Sequence, residues 1–210
     1  MDFTRRTLTL ALAAAALAGP AAAAAAVAPA DQALVDKATA YLQSLDEARG
    51  RFTQTDAQGH TTQGTFYLKR PGKARFEYDA PSGLVVVSDG AAVTVADSRL
   101  MTFNRYPLGA TPLSLFLART IRLDRGVEVT GVDRTQGGFV ITARDGHKKT
   151  AGQLMLSFAD DPMQLTGWAI TDAQGRTTRV KLANLQRTSG LDRTLFVGKD
   201  PRPPGARNRL

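Results

Sequence analysis

Past residue 50 the apolar side chains settle into a period of two, and short glycine turns cut the alternation into hairpin-sized pieces. Phe66 and Leu68 alternate with Thr65, Tyr67 and Lys69, and Phe76 and Tyr78 alternate with Arg75 and Glu77. Further runs of this kind are Leu84–Ser88, Val93–Asp97, Leu100–Asn104, Val127–Val132, Phe139–Arg144, Gln153–Phe158, Leu165–Thr171 and Thr177–Leu185. Gln58-Gly59, Asp89-Gly90, Gly137-Gly138, Asp145-Gly146 and Gln174-Gly175 supply the turns between them. About ten short strands so punctuated predict an antiparallel meander, because a parallel sheet needs long helical crossovers and none is present. A sheet of this kind curls, and its concave face either fills with side chains or encloses a cavity.

Two helices interrupt the strand pattern. Leu34, Ala38, Tyr41, Leu42 and Leu45 recur at spacings of three and four, which predicts an amphipathic helix over Asp31–Ala48, with Asp31 as N-cap and Gly50 as its stop. Pro112–Arg119 opens on a helix-starting proline and is apolar around most of its circumference, so this short helix needs cover on more than one side. The expected fold class is therefore mainly β with helices (α+β), a curved antiparallel sheet with one helix before it and one internal helix across its concavity.

The first thirty residues belong to a different pattern. Arg5 and Arg6 precede an apolar run from Leu8 to Ala18, and fourteen of these thirty residues are alanine. A charged start, a short apolar core and Ala-x-Ala sites predict a secretory signal peptide over 1–30, cleaved between Ala22 and Ala30. The core is too short for a membrane anchor with these flanks. Ordinary secretion, rather than twin-arginine export, is the expected route. One domain over 31–198 and a basic, proline-rich tail over 199–210 complete the expected organisation, and removing the leader takes the net charge from +8 to +7. A basic exported protein points to anionic surfaces or acidic partners before nucleic acid.

Catalytic chemistry is poorly represented. The chain has no cysteine and two histidines, His60 and His147, each beside a glycine in a predicted turn. No nucleophile elbow, zinc motif or phosphate loop occurs. Asp160-Asp161 before Pro162 reads as a solvated turn. No enzyme activity, cofactor or metal site is expected. The more informative stretch is Lys69-Arg70-Pro71-Gly72: counting by two from Phe66 and Leu68 puts Arg70 on their apolar face. A guanidinium there either snorkels to water or reaches several acceptors on a covering element.

Gly64-x-Phe66-x-x-Lys69-Arg70-Pro71-Gly72, followed by Phe76-Glu77-Tyr78-x-x-Pro81 and Val87-Ser88-Asp89-Gly90, resembles the periplasmic outer-membrane lipoprotein carrier protein family, LolA. Phe52-Thr53-Gln54 is similar to the family's first strand and Thr111-Pro112-Leu113 to the start of its lid helix. The resemblance implies an unclosed barrel whose helices cover a hydrophobic cavity for lipoprotein acyl chains. It also implies the partners: acylated lipoproteins, an inner-membrane lipoprotein-releasing ABC transporter, and an outer-membrane lipoprotein acceptor where one exists. Arg70 corresponds to the arginine that bonds the lid and holds the empty cavity shut. The chain departs from the family at Ala74, where many members carry a bulky apolar residue, and from Leu191 onward, where the match is loose.

The expected function is that of a periplasmic carrier or chaperone, acting as a monomer without nucleic acid. Phe66, Leu68, Phe76 and Tyr78 with Leu113, Phe116 and Leu117 are the expected cavity lining, and Trp168 and Ile170 share a face that fits either lining or core. The competing reading is a related half-barrel that senses or scaffolds lipid or lipoprotein without ferrying it.

Overall fold

In the computed structural model, residues 28–111, 113–123, 127–145 and 152–204 are described. Residues 1–27 of the expected leader, His147, Pro112 and the end of the basic tail lie outside these residues.

Eleven antiparallel strands form one sheet. β1 (Glu47–Thr55), β2 (Thr61–Lys69), β3 (Lys73–Tyr78), β4 (Leu84–Asp89), β5 (Ala92–Asp97) and β6 (Thr102–Pro107) follow one another as hairpins. So do β7 (Val127–Thr135), β8 (Gly138–Asp145), β9 (Gly152–Asp160), β10 (Met163–Asp172) and β11 (Thr177–Arg187). The order across the sheet is β6-β5-β4-β3-β2-β1-β11-β10-β9-β8-β7, so β6 and β7 are unpaired edges and the barrel is open. Among the described residues only the β1–β11 pairing joins strands distant in sequence, with Phe52 opposite Leu182 and Gln54 opposite Val180.

The first helix, α1, covers Pro29–Gln43, starting and ending earlier than the periodicity predicts. Its N-cap is Ala28, with no side-chain cap, so Asp31 is not the cap but an acid in the first turn. Gly50 does not stop a helix either. It lies inside β1 opposite Phe66. The reason is pairing: from Glu47 the backbone exchanges hydrogen bonds with β2 and β11 on its two sides, which outweighs the helical preference of Glu47 and Ala48. Ala48, fully buried beside Leu68, also needs the small side chain it has. The predicted Leu100–Asn104 strand shifts as well, because Leu100 and Met101 form the β5–β6 turn, Met101 at φ 52°, and the strand begins at Thr102.

Two apolar clusters share the concave face. Leu34, Val35, Ala38 and Leu42 of α1 pack on Phe139, Ile141, Leu156, Phe158 and Leu165 of β8–β10. Phe52, Phe66, Leu68, Ala74 and Phe76 of β1–β3 pack with Leu117 of the second helix, α2 (Leu113–Leu117). The convex face is covered only in part. After β11 the chain returns across the outside of β3–β5, where Val87 and Thr94 become buried and Phe196 is 1% exposed. Glu47 and Lys69 fasten this strap: the Leu191 amide donates to Glu47, and the Lys69 ammonium donates to the Leu191 carbonyl at 2.8 Å and pairs with Glu47 at 2.7 Å. Residues 199–204 form no strand; Asp200 there pairs with Arg202, whose guanidinium sits over the Phe103 ring.

Close approach of strands leaves no room for a side chain at Gly64, where a Cβ would lie 2.2 Å from the Glu77 carbonyl oxygen and 2.6 Å from the Phe52 ring. Gly131, by contrast, has open space around the same position. Gly64→Ala is expected to lower stability by about 1–3 kcal/mol, and Gly131→Ala to leave it nearly unchanged. Urea unfolding midpoints of the two variants check this.

Candidate functional site

Five residues are too few for a helix to stand alone, so α2 depends on what holds its ends. On the entry side a short 3-10 turn, Leu108–Ala110, leads in, with Thr111 bonded through its amide and hydroxyl to the Leu108 carbonyl. On the exit side the Gly72 amide donates to the Leu117 carbonyl at 2.8 Å. Gly72 is itself fixed, because the buried Ser88 hydroxyl donates to its carbonyl at 2.6 Å. The Arg-Pro-Gly and Ser-Asp-Gly turns singled out in the sequence therefore meet, and together they seat the end of α2.

Beneath the helix lies a slab of aromatic rings. Trp168 of β10 stands at its centre, with ring centroids 6.1 Å from Phe116, 6.4 Å from Phe66 and 6.0 Å from Phe76. Phe66 and Phe76 are 5.0 Å apart, and Phe52 meets Phe76 and Tyr78 edge-on. Such edge and offset contacts each add about 0.5–1.5 kcal/mol beyond area burial. The Tyr78 hydroxyl donates to Gln54 Oε1 at 2.8 Å, and burial pushes its pKa up to about 12.

Between helix and sheet run two wholly or almost wholly apolar clefts of about 20 Å³ each, meeting at Phe116, Leu154 and Leu156. Leu113, Trp168 and Ile170 line one, and Leu42, Ile121, Leu123 and Val127 line the other. About 10–15 Å³ of such space holds one water molecule, so each cleft has room for about one water and not for an alkyl chain. This arrangement is a closed one. A wider groove of about 390 Å³ lies on the opposite face, between the strap and Val85, Val87 and Ala96.

The expected lining residues divide accordingly. Leu113 and Phe116 border a cleft, as do Trp168 and Ile170. Phe66, Leu68, Phe76 and Leu117 are packed interior, and Tyr78 sits half-buried beside Phe52. Leu154 and Leu156 escaped the sequence reading, although their alternation with Gln153 and Met155 put them on the face shared by Trp168 and Ile170.

Arg70 points inward as its strand parity requires, but its hydrogen bond goes to the end of α1, not to α2. Its Nη2 donates to the Gln43 carbonyl at 2.9 Å, while Nε and Nη1 are buried without a partner among the described residues. Burial holds the guanidinium below its ordinary pKa, and the nearby Asp46 carboxylate acts in the opposite sense. The bonds to the segment after α2 come from Gln43 instead. Its Nε2 donates to the Arg119 carbonyl at 3.1 Å, and its Oε1 accepts from the Ile121 amide at 2.8 Å. Arg70 thus holds Gln43, and Gln43 holds the segment that leaves α2. Nothing in the local sequence marks a terminal helix glutamine for this role.

Among the described residues no group of three or more His, Asp or Glu could hold a metal ion. His60 pairs with Asp56 within an exposed hairpin turn, and Asp160 pairs with Lys37.

The profile of the outer membrane lipoprotein carrier protein family, LolA, matches residues 43–199. An outer-membrane lipoprotein carrier protein from Cupriavidus necator is 32% identical over 186 residues, covering 80% of this chain and 85% of its own. One from Methylobacillus flagellatus is 29% identical over 172 residues, covering 77% and 82% respectively. Among solved structures, a DUF1329 family protein from Desulfovibrio piger shares the fold, with a TM-score of 0.50 at 11% identity, covering 79% of this chain and 96% of that one.

Tyr78 gives the aromatic slab a pH signature. Its ordinary pKa is 10.0 and its folded value about 12, so the folded state holds the phenolic proton more tightly than the unfolded chain does. The resulting stabilisation is complete below pH 10 and is lost as the pH rises through 12. Urea unfolding across this window is expected to show falling stability in the wild type and a shallower fall in Tyr78→Phe.

Proposed function

Since the chain belongs to the outer membrane lipoprotein carrier protein family, LolA, whose members are binding and transport proteins rather than enzymes, we propose that it ferries acylated lipoproteins through the periplasm. Lipoproteins released from the inner membrane by an ABC transporter are taken up and passed to an outer-membrane acceptor, their acyl chains held between α2 and the concave sheet.

The observation that supports this reading most directly is the apolar clefts under a helix tied by few bonds. Burying methylenes is worth about 0.8 kcal/mol each, so a sixteen-carbon chain gains roughly 12 kcal/mol by leaving water. A carrier needs a matching apolar surface, yet an empty open cavity of that size invites association. A closed lid of modest stability reconciles the two demands. Here the lid closes on Phe116, Leu154, Leu156 and Trp168, leaving clefts too small for cargo. Entry of an acyl chain requires α2 to swing out, which breaks the Gln43 bonds to Arg119 and Ile121 and the Gly72 bond to Leu117. Arg70 acts as the latch through Gln43. With Nε and Nη1 unpaired among the described residues in the closed state, its guanidinium can exchange partners as the lid moves without losing a saturated network.

Binding of a synthetic triacylated lipopeptide, with the deacylated peptide as control, tests the reading. Saturable binding that needs the acyl chains is expected, and binding of the bare peptide alone would overturn it. Gln43→Ala removes two neutral hydrogen bonds, together about 1–3 kcal/mol, from the closed state only. It is therefore expected to bind the lipopeptide about tenfold more tightly and to release it more slowly. Arg70→Leu is expected to fold and to alter the same uptake and release rates; unchanged rates in both variants would remove the latch.

A further inference from the structure

The convex face has its own chemistry, unconnected with the lid. Side chains of β1 and β11 that point outward include Arg49, Arg51, Thr53 and Thr55 on one strand and Lys181 and Arg179 on the other. Lys181 lies opposite Thr53 and Arg179 opposite Thr55. Toward β10 the same two cations lie beside Gly167 and Ala169, the two smallest residues available. Nearby acids are already matched: Asp79 pairs with Arg51 and Glu47 with Lys69. Arg49, Arg179 and Lys181 remain, exposed and with no acidic partner among the described residues. The strap is fastened at Glu47 and Lys69 and then runs over β3–β5, and Arg49, Arg179 and Lys181 stay exposed beside it.

We propose that the convex face of β1, β11 and β10 is a docking surface for an anionic lipid bilayer, held by Arg49, Arg179 and Lys181. The form of the face selects this occupant over an acidic polypeptide. An extended peptide docks by adding to a free strand edge or by lying in a groove. All three strands are paired on both sides, so no free edge is offered; Thr53, Thr55, Gly167 and Ala169 are the small neighbours of Lys181 and Arg179, and the neutralised Arg51–Asp79 pair stands between them and Arg49. Three cations on such a surface can each approach a separate headgroup of a planar polyanion, and flexible stems let them adjust to lipid spacing. Docking there also leaves the concave side free, so lid movement and membrane contact use opposite faces of one sheet.

Cosedimentation of the exported protein with vesicles of phosphatidylcholine, alone or mixed with phosphatidylglycerol, tests the proposal. Three surface cations at the usual strength per residue predict about a hundredfold preference for the mixed vesicles, fading at high salt. The triple variant Arg49→Gln, Arg179→Gln, Lys181→Gln is expected to lose the preference while keeping the wild-type urea midpoint and acyl-dependent lipopeptide uptake. The control Arg193→Gln, Lys199→Gln, on the strap, is expected to keep it. Equal partition of the wild type onto both vesicles would overturn the proposal, as would a triple variant that still prefers phosphatidylglycerol or a preference confined to an acidic polypeptide. The single reversal Lys181→Glu is expected to cut the preference at least tenfold, and an unchanged preference there would overturn the proposal as well. Uptake of lipopeptide is measured separately, so the carrier reading stands or falls on its own result.

Discussion

One strand pairing holds the architecture together. Every other contact in the sheet joins strands that follow each other in the chain, but β1 meets β11 across nearly the whole sequence. Without it there would be two separate meanders, one of six strands and one of five, each with an apolar face too small to bury. Joined, they curl into a single concavity in which α1 covers the β8–β10 side and α2 the β1–β3 side. The pairing also has a local cost that shapes the sequence. Gly50 sits at its irregularity, where a Cβ would lie 3.1 Å from the Ala183 carbonyl oxygen, so the residue that looks like a helix stop is a strand residue kept small by its neighbour.

An open barrel must dispose of an apolar inner face, and here the two helices do so unequally. α1 is committed: Ala38 is fully buried and Leu42 2% exposed. α2 is short, keeps Leu113 and Phe116 half-buried, and is fastened at its exit by backbone and amide bonds from Gly72 and Gln43. Such bonds are individually weak in net terms, because each group they satisfy could be satisfied by water. The aromatic slab therefore has one deeply buried cover and one held at its exit by a few hydrogen bonds. Arg70 belongs to the boundary between them, bonded to the end of α1 and adjacent to the turn that seats α2.

Much of this could be read from residue spacing alone. Strand parity put Arg70 on the inner face and grouped Phe66 with Leu68 and Trp168 with Ile170, and all of them occupy the predicted side. The turns at Gln58-Gly59, Asp89-Gly90, Gly137-Gly138 and Gln174-Gly175 fall where the glycines mark them. Parity says which face a side chain takes, but not how deep it lies. Phe66 and Leu68 pack fully buried on the inner face, while Leu154 and Leu156 border the clefts from a strand whose neighbours are set by sheet order. Gln43 is the plainest omission: its part depends on where the segment after α2 passes, which nothing near residue 43 encodes.

The sequence by itself determined the hairpins, their turns, the two helices and the inward side of each strand, since these depend on contacts between residues a few positions apart. It also carried the motifs that mark the family. Tertiary structure alone decided that the first strand joins the last, that helix α1 stops at Gln43, that the segment after α2 is tied to Gln43, and that the segment after Leu191 straps the outer face. Each of these is a contact between distant parts of the chain. Its energy depends on complementary surfaces that exist only once the local elements have formed and met.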